Sequence, residues 1–228
     1  MNKGQLDRAR RIVPQIFEYL YDQIISVEIA PGTVLDRIAL QERFGVSQTP
    51  VRDALMRLEH LGLVSIFPQR ATVVERIDLR AAREAHFLRQ SVELEALALT
   101  TQQRTEDDLR EMSDLLHLLQ QATTHRNLKE VFRLDSLFHS TFYRIAGVPA
   151  LFDLIRAQSV HTDRLRKLHL PFQGKQDEII DDHLRIVDAV GKKDVKLAKS
   201  ALRKHLSGTF SHIDDIRKQY PDYLLSES

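Results

Sequence analysis

Asp135 and His139 stand four residues apart in the run Asp135-Ser136-Leu137-Phe138-His139, a spacing at which one helix projects both side chains from the same face. Two further imidazoles have the chemistry to join them. His183, in Asp182-His183-Leu184-Arg185, and His205 are 22 residues apart, roughly 33 Å along a continuous helix and too far to share an ion. Gly191-Lys192-Lys193-Asp194 interrupts that run. If the chain reverses there, His183 lies about nine residues before the turn and His205 about eleven after it, so the two return to a similar level. A carboxylate and three imidazoles would then converge on one divalent ion. From spacing alone an Asp-x-x-x-His pair is more often a capped or surface pair, and ten histidines supply many pairings. The chain has no cysteine, which excludes a disulfide scaffold, thiol catalysis and every cysteine-based zinc site.

A second set of side chains has the chemistry of nucleic-acid recognition. Gln48 and Thr49 precede Arg52 by four and three residues, so on a helix they share a face, and they are types that bond phosphates and base edges. Arg70 falls at the tip of an expected hairpin, and Arg37 and Arg43 are placed to add backbone contacts. The segment to Arg76 holds ten basic and nine acidic residues, so binding rests on placement and not on bulk charge.

The elements that position both sets follow from punctuation and period. Pro31-Gly32, Gly45, Pro50, Gly62 and Pro68 cut the first 76 residues into short pieces, whereas Asp78 to Val148 contains one glycine and no proline. This predicts a small N-terminal domain over 1–76 and a larger helical one over 78–228. Ile12, Ile16, Leu20, Ile24 and Ile29 predict a helix that stops at Pro31-Gly32. Asp36 and Gly45 cap a short second helix. A third begins at Ser47, whose hydroxyl is expected to accept from the first-turn amides, and carries the stripe Val51, Leu55, Leu58, Leu61. Leu63–Phe67 and Thr72–Glu75 flank Pro68-Gln69-Arg70-Ala71 as a hairpin. Three helices and a hairpin describe a winged helix-turn-helix, whose last helix enters the major groove. Beyond Asp78, six to seven helices are expected, among them one through Leu151 to Leu168 and one from Val195 to about Ile216. They form an all-helical bundle large enough to enclose a pocket.

The run Phe44-Gly45-Val46-Ser47-Gln48-Thr49-Pro50-Val51-Arg52-Asp53-Ala54-Leu55, with Arg57-Leu58-Glu59 and Gly62-Leu63-Val64, closely resembles the GntR family of bacterial transcription regulators. Gln48 replaces that family's usual arginine and Ala71 its usual wing glycine. The C-terminal part resembles the all-helical ligand-binding (FCD) domain of the fatty-acid-regulator branch. Many members of that branch hold a divalent cation with an aspartate and three histidines, matched here by Asp135, His139, His183 and His205. The resemblance also implies roles for Arg89 and Glu93 at the effector pocket, where Arg89 suits a carboxylate. Gln158, His161 and Arg164, after Pro149, are further candidates for the pocket wall. His60, His86, His117, His125, His169 and His212 are given no role.

With 43% apolar and 29% charged residues the composition is that of a folded globular protein, and no stretch approaches the ~18 apolar residues of a membrane helix, so a cytoplasmic location is expected. An enzyme, a hydrolase or oxygenase built on the same four ligands, is the competing class. No His-Glu-x-x-His, Gly-x-Ser-x-Gly, Walker loop or dinucleotide fingerprint supports it, and it leaves the winged helix without a purpose. A purely structural metal is a third reading. The expectation is a homodimeric repressor of a carboxylate or sugar-acid catabolic operon that binds palindromic double-stranded DNA. It would hold one divalent ion per chain, zinc first and nickel, manganese or iron otherwise. A small organic acid would control it.

Overall fold

The computed structural model describes residues 6–7, 9–172 and 174–225. The architecture is mainly α, a winged helix-turn-helix followed by a helical bundle. The described residues up to Ala82, together with Val160–Leu168 and Asp215 onward, pack as one compact unit, and Arg83–Ser159 with His169–Asp214 as the other. The sequence-based division at 76–78 keeps each part contiguous, whereas the packing lends two later segments to the first unit.

In the first unit, α1 (Ile12–Ile25), α2 (Arg37–Phe44) and α3 (Gln48–His60) precede a hairpin of β1 (Val64–Phe67) and β2 (Ala71–Val74). The strands pair antiparallel from Val64↔Val74 to Phe67↔Ala71. The core joins Ile16, Leu20 and Ile24 of α1 to Val51, Leu55 and Leu58 of α3, with Leu63, Val64 and Val74 of the wing. Asp36 caps α2 by accepting from the amides of Ile38 and Ala39, and Gly45 ends it in the left-handed conformation at φ +62°, as the sequence predicted.

Three local expectations change. α1 ends at Ile25 and not at Pro31-Gly32, because Val27 turns left-handed at φ +61° and the Ile29 amide folds back onto the Gln23 carbonyl at 3.0 Å. Ser47 is the N-cap residue of α3, yet its hydroxyl accepts from no first-turn amide. At the wing tip the left-handed residue is Gln69, at φ +56°, so position 71 needs no glycine and lies in the strand.

The second unit is built on α4 (Leu79–Gln103) from Arg83 onward, α5 (Glu106–Thr124), α6 (Leu128–Ile145), α7 (Ala150–Gln158), α9 (Lys175–Gly191) and α10 (Val195–Ser207). α5 packs on α6 and α9, and α9 on α10. Phe138, Phe142, Leu119, Ile186 and Leu202 fill the centre. Arg104 fixes the α9–α10 reversal by donating from Nη2 to the Gly191 carbonyl at 2.7 Å, which satisfies a helix-end acceptor.

Two helices expected as single are broken. The run through Leu151 to Leu168 divides at Ser159 into α7 and α8 (Val160–His169), because Val160 belongs to the core of the first unit while Ile155 belongs to that of the second. The run from Val195 breaks at buried Gly208, where an added Cβ would meet Lys175 Nζ at 2.6 Å, and resumes as α11 (Ile213–Gln219). Asp36→Ala is expected to cost about 1 kcal/mol in denaturant unfolding, the usual loss of a helix cap.

Candidate metal centre

α6 presents Asp135 and His139 one turn apart toward the interior, α9 presents His183, and α10, returning after the reversal at Gly191, presents His205. One ligand atom from each lies within 4.8 Å of all the others. The Nε2 atoms of His139 and His205 are 3.1 Å apart. Asp135 Oδ1 lies 3.5 Å from His183 Nε2 and 3.8 Å from His139 Nε2. Ligands around one ion at ~2.1 Å are separated by on the order of 3 to 3.5 Å, the spacing of the His139–His205 and Asp135–His183 pairs, and the remaining atoms lie close enough to close in on an ion.

The hydrogen bonds behind the rings turn the correct nitrogen inward. His183 Nδ1 donates to the Ile179 carbonyl at 2.7 Å, and His139 Nδ1 donates to the Glu93 carboxylate. A carbonyl or carboxylate can only accept, so both rings carry their proton on Nδ1 and leave the Nε2 lone pair facing the cluster. Burial holds the His205 pKa well below its ordinary value, helped by His183 and His139 and opposed by Asp135, which keeps that ring neutral as a ligand must be. Phe138 packs edge-on against His139 and His183 and keeps the rings in place.

Glu93 is 1% exposed, and its ionised form is held by its surroundings. Burial pushes its pKa up, but the Arg89 guanidinium and His139 pull it down to about 2. Arg89 Nε donates to Glu93 Oε2 at 2.8 Å, and the Tyr143 hydroxyl donates to the same oxygen at 3.3 Å. Burial and the Glu93 charge raise the Tyr143 pKa, so it remains a donor. The sequence reading missed Tyr143, although it lies four residues after His139 on the same helix face. His86, given no role, packs its ring 4.6 Å from that of Phe210, and burial first and the Arg89 charge second, opposed by Glu93, depress its pKa.

The other site residues fall elsewhere. Gln48, Thr49 and Arg52 are exposed on α3 opposite the buried Val51, Leu55 and Leu58. Ser47 and Arg70 are exposed, and Arg43 lies 4.7 Å over the Tyr19 ring. Arg37 turns its Nε to Thr72 Oγ1 of β2 at 3.0 Å, tying α2 to the wing. Gln158 is exposed at the end of α7. His161 and Arg164 belong to the first unit, where His161 Nδ1 accepts from the Asp78 amide at 3.1 Å and Arg164 Nη2 donates to the Glu75 carbonyl at 2.6 Å.

Residues 13–74 match the bacterial regulatory proteins of the gntR family, and residues 71–208 match the FCD domain. The chain belongs to the GntR family and carries an FCD domain. This GntR-family chain is 33% identical, over 93% of its length and 89% of the relative's, to an uncharacterized HTH-type transcriptional regulator in an unstable DNA locus of Streptomyces ambofaciens. It is 29% identical to the HTH-type transcriptional repressor RspR of Escherichia coli over 98% of both chains. The solved structure of McbR/YncC from Escherichia coli superposes with a TM-score of 0.73 at 26% identity, covering 92% of this chain and 99% of that one. A GntR regulator with an FCD domain acts on transcription and is not an enzyme, so the hydrolase or oxygenase reading of the four ligands falls. No helix among the described residues is long and apolar enough to cross a membrane.

His161 supplies a pH dependence. Burial, with the Arg164 charge next and Asp78 and Glu75 opposing, lowers its pKa from 6.5 to about 4. The unfolded chain therefore takes up the proton first, and stability falls as pH drops from about 6.5 to about 4, by about 3 kcal/mol. Urea unfolding of wild type and His161→Phe across this window checks it, and the variant should lack that part of the slope.

Proposed function

We propose that this GntR regulator is a homodimeric repressor whose hold on a palindromic operator is controlled by a small organic acid bound beside a divalent metal ion. The observation that carries the reading is the convergence of Asp135, His139, His183 and His205 within 4.8 Å, with the His139 and His183 ring protons turned outward. These four residues would hold the ion, which supplies positive charge and open coordination positions for a carboxylate. Zinc suits three imidazoles and one carboxylate, and nickel, manganese or iron are the alternatives. Arg89, whose Nε pairs with Glu93 one turn along α4, would meet an acid group of the effector. A sugar acid or dicarboxylate fits this demand, and a catabolic operon for such a compound is the target that follows.

On the DNA side, Gln48, Thr49 and Arg52 form the base-reading face of α3, with Ser47, Arg43 and Arg70 on the phosphate backbone. Arg37, tied to Thr72, contributes more through the wing than through direct contact. Two-fold symmetry matches two heads to a palindrome, and the repressor name of the RspR relative supports the sign of control.

Thermal unfolding against sugar acids, dicarboxylates and amino acids, with added metal and after chelation, tests the reading, because a ligand of the native state raises the midpoint. An acid that raises it only when metal is present is the expected result. Metal that stabilises without any acid response would instead leave the ion a structural role. His183→Ala should lose stoichiometric metal, measured by elemental analysis. Arg52→Ala should keep the metal and weaken operator binding by about tenfold in a salt-controlled titration.

A further inference from the structure

The segment Glu75–Asp78, which leads from β2 into α4, is gripped from two directions by parts of the chain far away in sequence. On one side is the C-terminal segment. The Ile77 amide donates to the Tyr223 carbonyl at 2.8 Å, the Leu225 amide returns to the Ile77 carbonyl at 3.0 Å, and Arg76 Nε donates to the Asp222 carbonyl at 2.9 Å. On the other side is α8. Arg164 Nη2 donates to the Glu75 carbonyl at 2.6 Å, His161 Nδ1 accepts from the Asp78 amide at 3.1 Å, and Thr162 Oγ1 donates to the Ala82 carbonyl at 3.2 Å. Val160, at the start of α8, sits in the same core as the recognition helix.

Arg164 is fully buried, and its Nε and Nη1 find no protein acceptor among the described residues. A guanidinium in that position is expensive to bury, and its Nη2 bonds the backbone of the linker, so its location has meaning only with the linker docked. His161 adds a second requirement, since its Nδ1 can receive the Asp78 amide only while the ring is unprotonated there.

We propose that Arg164 and His161 are positioning residues for DNA recognition: by clasping the Glu75–Asp78 linker against α8 they hold the end of the wing and the first turn of α4 in one arrangement. The proposal rests on the two-headed regulator reading.

The full-length wild type is compared with Arg164→Met and His161→Ala on two duplexes. One carries the full operator that the wild type selects from random sequence, and the other a single half-site. Weaker binding to the full operator by threefold or more, with half-site binding, metal content and the exposed face of α3 unaltered, is the expected result in at least one variant. Hydrogen exchange adds a readout that a local packing role would not move: in Arg164→Met the Ile77 and Asp78 amides, neither of which Arg164 touches, should exchange at least tenfold faster while α6 amides keep their rates. The idea is overturned by a full-operator loss smaller than threefold in both variants, by equal loss on both duplexes, or by unchanged Ile77 and Asp78 exchange. If Arg164→Met does not fold, His161→Ala with the same duplexes and the Ile77 amide decides. Selection of sites without two-fold symmetry by the wild type would defeat the two-headed reading, and the exchange rates would still judge the clasp.

Discussion

An ionised carboxylate buried as deeply as that of Glu93 persists only where cations and donors meet its oxygens, and the second unit is arranged to meet that demand. Arg89 comes from one turn earlier on α4, while His139 and Tyr143 come from successive turns of α6. A slide of α4 along α6 by a single turn would strand the charge, so the pair has one register. That register decides which His139 nitrogen carries the proton, and through it which nitrogen faces Asp135, His183 and His205. The apolar core around Phe138 supplies most of the packing, but it would tolerate small shifts that the carboxylate does not.

The same reasoning separates what could be read from residue order from what could not. Asp135 and His139 were legible because a helix converts a spacing of four into a shared face, and His183 and His205 because Gly191–Asp194 marks a reversal that makes two distant positions level. The caps at Asp36 and Gly45 were legible for the same local reason. Glu93 lies 46 residues from the imidazole it orients, and no local period links the two. Sequence reasoning therefore placed it at the effector and not behind a ligand.

The errors lie where two cores compete for one apolar run. From Leu151 to Leu168 the hydrophobic period suits one helix, yet Ile155 and Val160 are claimed by different units, and the chain breaks at Ser159. His161 and Arg164 were candidates for the pocket wall from their place on the helix after Pro149. In the fold they serve backbone groups of the linker. Residue type reports which bonds a side chain can make, whereas its partner is chosen by tertiary packing.

The chain passes between its two compact units at 82/83, 159/160, 168/169 and 214/215. A protein joined by a single tether can exchange its head by one recombination event, because everything the head needs lies on one side of the joint. Here the head's own packing includes a helix encoded in the middle of the bundle and a strand-like segment encoded near the chain end. A graft cut at the wing would carry the reading surface and leave behind the parts that seat it. A functional hybrid would have to inherit three separate stretches together.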